Sequence, residues 1–255
     1  MFEPMEVIQS LFRWIHIVAG IFWIGLLYFF NFVNASFAAT LDADAKKKVV
    51  PQLMPRSLFW FRWGAAWTWV TGVLLLALVF YHGGGVLENP GDGWSAGTGV
   101  MVLLTFAAPF LYEGLLKTPL AKTLTITAIS AIVLVTLMAW VMVQWGGFSY
   151  RGYVIHVGVM FGTIMASNVW FRIWPAQQKI ITAVRDGQAP DAAVVALAGL
   201  RSKHNTYLSV PLVWTMINQH TTFASSSWVI LPVIMVLGWH GLSHLYKKAA
   251  KVQGF

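Results

Sequence analysis

Residues 204–220 read HNTYLSVPLVWTMINQH. A histidine stands at each end, and what lies between is mostly apolar and long enough to cross most of a bilayer core. At a rise of about 1.5 Å per residue, the two imidazoles of a regular helix stand about 24 Å apart, too far to serve one metal ion. The stretch reads as a membrane helix with polar groups stationed at two depths.

The rest of the chain agrees with that reading. Of its 255 residues 58% are hydrophobic and 10% charged, far from the balance of a soluble domain. There is no cysteine, which excludes disulfides, zinc–thiolate sites, iron–sulfur clusters and covalently attached c-type haem. The net charge of +8 does not indicate nucleic acid, because the basic residues sit between apolar spans rather than around aromatic platforms. The first apolar segment is too long for a signal-peptide core and lacks a basic start, so no cleavable leader is expected.

Seven apolar segments are expected to be membrane helices: about 10–34, 60–80, 98–117, 121–144, 152–174, 206–222 and 227–246. Seven crossings put every Lys and Arg on one side except Arg13 and Arg151, which sets the amino terminus outside and the carboxy terminus inside. The expected fold is thus an all-α integral membrane helical bundle, a single domain over 1–255. The connection 176–203, broken by Gly187 and Pro190, reads as one or two short interfacial helices. The loop HGGGVLENPGDG has glycines but neither the lysine nor the strand-to-helix setting of a phosphate-binding loop.

Depth then sorts the histidines. His16, His156 and His220 fall in the outer third, while His204 and His240 fall toward the inside; His82 and His244 are read as interfacial. Ionisable groups inside spans mark function, and haem is the apolar ligand whose iron takes imidazoles from facing helices. On a helical wheel His16, Gly20, Trp23, Leu27, Asn31 and Asn34 share a face, with Arg13 a turn away to neutralise a propionate. His16 and His156 are the expected iron ligands of an outer haem b, with Trp23 packing on the porphyrin. A second, inner haem would use His204 with His240 or a neighbour. Glu113 most simply pairs with Lys117 at i+4. His204, Asn205 and Asn218 are the candidates for a catalytic role; Asn168, Asn205, Thr215 and Asn218 supply amide and hydroxyl groups suited to reading a purine or, more commonly, to interhelical hydrogen bonds.

Four stretches carry a resemblance: FRWIHIVAGIFWIG (12–25), MPRSLFWFRWGAAWTWVTG (54–72), HVGVMFGTIMASNVWFRIWPAQQ (156–178) and RSKHNTYLSVPLVWTMINQH (201–220). Together they resemble the membrane portion of the bacterial membrane-bound urate oxidase (urate hydroxylase) family, over nearly the whole chain. The resemblance implies a bacterial inner-membrane protein that takes electrons from urate, adds water to give 5-hydroxyisourate and passes the electrons to cytochrome c. It points to His16, His156, His204 and His220. Members of that family continue into a cytochrome c domain, whereas no C-x-x-C-H occurs here. The expected acceptor is therefore a separate cytochrome c. The alternative is a non-catalytic haem-binding electron-transfer or accessory subunit of a larger respiratory complex. A transporter is disfavoured because no inverted repeat is evident.

Overall fold

The computed structural model describes residues 3–221, 225 and 229–252. Among them lie seven long helical stretches: α1 Pro4–Thr40, α2 Ala43–His82, α3 Ala96–Leu115, α4 Leu124–Gln144, α5 Tyr150–Arg185, α6 Ala192–Ile217 and α7 Ile230–Ala249. No strand occurs among the described residues, whose one isolated bridge pairs Leu87 with Phe148. The fold is an all-α helical bundle. The stretches α1 to α5 are long and apolar enough to cross a membrane, which marks a multi-pass membrane protein. The segments expected as the sixth and seventh spans, 206–222 and 227–246, fall largely within α6 and α7, which are helices but are not among the five long and apolar enough to cross a membrane; positions 222 and 227–228 lie outside the described residues.

Local chemistry explains where the helices start. Ser95 caps α3 through a reciprocal capping box with Thr98, and Thr123 caps α4 by accepting from the amide of Ile126 at 3.2 Å. The helices run further than hydropathy alone indicates. The connection expected as separate interfacial helices over 176–203 is instead the end of α5 and the beginning of α6, parted only at 186–191. Gly187, with φ +73°, and Pro190 supply the break. The run AAVVALAGL that follows contains no proline and is rich in alanine and leucine, so α6 starts well before its apolar core.

Among the described residues, three stretches depart from α geometry into π turns: Phe29–Asn34 in α1, Leu76–His82 in α2 and Val169–Ile173 in α5. Such turns are rare and gather at functional sites.

The chain folds as two compact units. One comprises Met1–Gln9, Gly72–Ile164 and Ser209–Trp239, and includes all of α3 and α4; the other comprises Ser10–Thr71, Met165–Leu208 and His240–Phe255. The first unit is built around Phe148, Val154, His156, Met142 and Met235, all at most 1% exposed, and the second around Trp23, Leu27, Phe61 and Met165. In the first unit the loop after α2 is tied to the turn before α5. The amide of Glu88 donates to Gly147 O and that of Ser149 to Val86 O. Gly152 is required there, since a Cβ would collide with the backbone oxygen of Val86.

Candidate functional site

In the second unit, the face of α1 expected from the wheel does form. Trp23 and Leu27 are buried, and Gly64 of α2 lets the two helices touch: a Cβ on it would stand 3.1 Å from both Ala19 O and Trp23 N. Gly20, by contrast, meets only Thr68 at an ordinary 3.8 Å, so the close approach belongs to Gly64. His16 extends the same face. Its Nδ1 lies 3.2 Å from the hydroxyl of Thr71, and that hydroxyl already donates to Trp67 O at 2.6 Å. Thr71 Oγ1 must then accept, which puts the His16 proton on Nδ1 and the lone pair on Nε2. This is the tautomer in which an imidazole binds a metal, oriented by a hydrogen-bonding neighbour. Trp23 carries its indole Nε1 into the interior, where it meets no hydrogen-bond partner among the described residues.

In the first unit His156 is fully buried on α5. Its Nδ1 donates to Gly152 O at 2.7 Å, since a carbonyl only accepts, so Nε2 again holds the lone pair. Here Nε2 is engaged: the hydroxyl of Tyr81, in the π turn of α2, donates to it at 3.1 Å. Phe148 packs edge-on against the ring at 4.8 Å between centroids. Beside this group opens a cavity of about 810 Å³ lined by Trp94, Trp145, Phe148, Tyr150, Tyr153 and Glu88 among others. Trp94 meets Tyr81 edge-on at 5.3 Å, so a series of rings joins the cavity to the buried imidazole.

The remaining candidates spread out. His220 is exposed in the short 3₁₀ turn Asn218–His220. Asn218 turns its amide back to Trp214 O at 3.1 Å, while its backbone oxygen accepts from the Tyr150 hydroxyl at 2.8 Å, so it serves the end of α6. His240 is exposed and packs edge-on against His244 at 4.5 Å. Arg13 is exposed and His204 half-buried. Asn205 is fully buried, donating to Met165 O at 2.9 Å and accepting from Asn168 at 2.9 Å. Among the described residues no three imidazole or carboxylate groups gather as a cation site. Single imidazoles set into apolar surroundings suit a ligand that brings its own equatorial donors, as a porphyrin does.

Both units fall within one family match. The urate oxidase N-terminal family profile covers residues 3–253. The chain belongs to that family. Neither a curated protein nor a solved structure matches it.

Two residues of this urate oxidase N-terminal chain escaped the sequence reading. Arg201 counts in sequence as one more basic residue of an inside loop, yet it is 6% exposed, with Nη1 donating to Asn168 Oδ1 at 3.4 Å. Its i, i+4 spacing to Asn205 was the available signal, since that places both on one face of a helix. Tyr81 carries no such mark, because its contact with His156 spans 75 positions of sequence.

Proposed function

We propose that the protein is the membrane part of a urate-oxidising oxidoreductase that binds haem b and delivers electrons to a separate cytochrome c at the bacterial inner membrane. The observation that supports it most is the His16–Thr71 hydrogen bond, which leaves Nε2 of an intramembrane imidazole as a lone-pair donor on an apolar face. His16 is the imidazole we assign to iron. His156 holds the same tautomer and is the second candidate, binding iron in exchange for its hydrogen bond from Tyr81. When bound, haem supplies one-electron redox chemistry between a two-electron donor and a one-electron acceptor.

The overall change removes two electrons and two protons from urate as water adds to give 5-hydroxyisourate. The chain's share is to hold the imidazoles in one tautomer, to bind the substrate and to keep bulk water from the buried groups. Trp94, Tyr81 and His156 offer a ring-to-ring path between the cavity and the interior of their unit.

Anaerobic addition of urate to purified protein tests the reading. Reduction of a b-type spectrum, reversed by oxidised cytochrome c, is the expected result. A b-type spectrum that urate never reduces would assign the chain to electron transfer or an accessory role.

A further inference from the structure

In the second unit the guanidinium of Arg62, on α2, is held by rings from two helices. Its Cζ lies 4.0 Å over the Trp174 ring, 5.7 Å over Phe59 and 5.9 Å over Trp170. Both tryptophans come from one place in α5: Trp170 lies inside the π turn Val169–Ile173 and Trp174 directly follows it. Trp170 also donates its indole N–H to Arg62 O at 3.1 Å, and Trp63 packs edge-on against it at 5.5 Å. The cage is thereby tied to the α2 backbone.

Rings attract a cation across their faces but leave its five in-plane N–H donors to find acceptors of their own. Here they find none in the chain. Arg62 Nε is buried without a hydrogen-bond partner, and the guanidinium forms no hydrogen bond or ion pair with any described residue. Asp42 and Asp191 cap helix starts, Asp186 pairs with Arg185, and Asp44 is exposed. A buried N–H with no acceptor costs stability, so the arrangement calls for an oxyanion from outside the chain. Its surroundings say which one. Phe59, Trp60, Trp63 and Phe171 are all exposed around Arg62, on helices long and apolar enough to cross a membrane. Exposed aromatic rings of membrane proteins gather at headgroup level, where lipid phosphates lie.

We propose that Arg62, caged by Trp174, Trp170 and Phe59, is a binding site for the phosphate of an anionic phospholipid. The planar fork of arginine takes two phosphate oxygens at once, and the rings hold that fork in one orientation. The site stands independently of the functional reading above. Free phosphate and a haem propionate offer the same oxyanion chemistry, and the test separates all three.

Purified full-length protein in a neutral detergent is titrated with phosphatidylglycerol, phosphatidylcholine or inorganic phosphate, following the melting temperature by tryptophan fluorescence and, in parallel, haem content. Phosphatidylglycerol is expected to raise the melting temperature saturably, at concentrations where the other two leave it unchanged. Arg62→Gln is expected to raise the half-saturating concentration roughly 30-fold at unchanged haem content, through loss of the charged hydrogen bonds. Arg62→Lys restores only part, because the charge returns without the fork. Arg56→Gln, which removes an exposed arginine of the same helix, controls for diffuse attraction and is expected to cost no more than about fivefold. Should Arg62→Gln fail to fold, Trp174→Leu gives the answer: it keeps the charge, removes the nearest ring, and is expected to weaken the lipid about tenfold. Wild-type phosphatidylglycerol affinity in folded Arg62→Gln or in Trp174→Leu overturns the proposal, as does an equal loss in Arg56→Gln, which reduces the effect to surface charge. Inorganic phosphate that matches phosphatidylglycerol assigns the site to a free anion. Haem lost from Arg62→Gln with lipid binding retained assigns it to a propionate. Either result overturns the lipid site, and so does a phosphatidylcholine shift as large as that of phosphatidylglycerol or a wild type that phosphatidylglycerol leaves unshifted.

Discussion

His16 and His156 are both half of the same idea, executed differently. Each ring carries its proton on Nδ1, but His156 is sealed: Gly152 O takes the proton side, the Tyr81 hydroxyl covers the other, and Phe148 closes the flank. His16 is steered by one turn of α2, through the Thr71 hydroxyl and the Thr68 backbone, at a half-buried position. The difference separates two costs. Sealing satisfies every polar atom and stabilises the unit; leaving Nε2 as an acceptor gives up that hydrogen bond in favour of a ligand.

The backbone around each ring is the harshest place to probe the contrast. Gly152→Ala drives a methyl group into the Val86 backbone and moves the carbonyl that His156 uses, so a loss at or above the top of the usual range of about 1–3 kcal/mol for overpacking is expected in thermal unfolding. Gly64→Ala also meets backbone, at 3.1 Å from Ala19 O and Trp23 N, but has more room; a smaller loss within that range is expected. Equal losses at both positions would erase the distinction between a sealed and an open site.

The hydrogen-bonding partners come next. Thr71→Val is expected to cost about 10- to 100-fold in haem affinity, the usual consequence of removing the group that orients a metal-binding imidazole. Tyr81→Phe is expected to lower stability by about 1 kcal/mol with haem content unchanged. Haem lost from Tyr81→Phe and kept in Thr71→Val would exchange the roles of the two imidazoles.

The smallest effect lies at the surface. The Arg185 guanidinium, hydrogen-bonding to Asp186 at 2.9 Å, holds that carboxyl below the ordinary carboxylate value. A lowered folded-state value stabilises above the unfolded-state value and is lost as pH falls, so the contribution vanishes on acidification. Both side chains are well exposed and screened, and Asp186→Asn is expected to leave the melting temperature unchanged between neutral pH and pH 4. A clear shift there would show that the break between α5 and α6 matters more to the fold than the buried sites do.

Much of the fold was legible because apolar length announces a membrane helix. The segment expected over 121–144 appears as Leu124–Gln144, and that over 98–117 as Ala96–Leu115. The extension of α2 back to Ala43, through Pro51 and Pro55, was not, since polar helix beyond the apolar span leaves no mark in hydropathy. The face of α1 was legible from its 3.6-residue period, down to Trp23, Leu27 and Asn31. What stayed hidden was long-range: Thr71 against His16 across 55 positions, Tyr81 against His156, and the burial of Arg201. The π turns Phe29–Asn34, Leu76–His82 and Val169–Ile173 also went unmarked, since they lie within or at the ends of apolar runs that hydropathy reads as plain helix.

The account depends most directly on the optical spectrum of protein produced with haem precursor, compared with His16→Ala prepared in the same way. It predicts a Soret band and a dithionite-reduced α-band of b type, with at least one haem per chain, and at least a tenfold loss of haem in a His16→Ala variant whose melting temperature is preserved. A colourless wild type, or an unchanged spectrum in the variant, contradicts it.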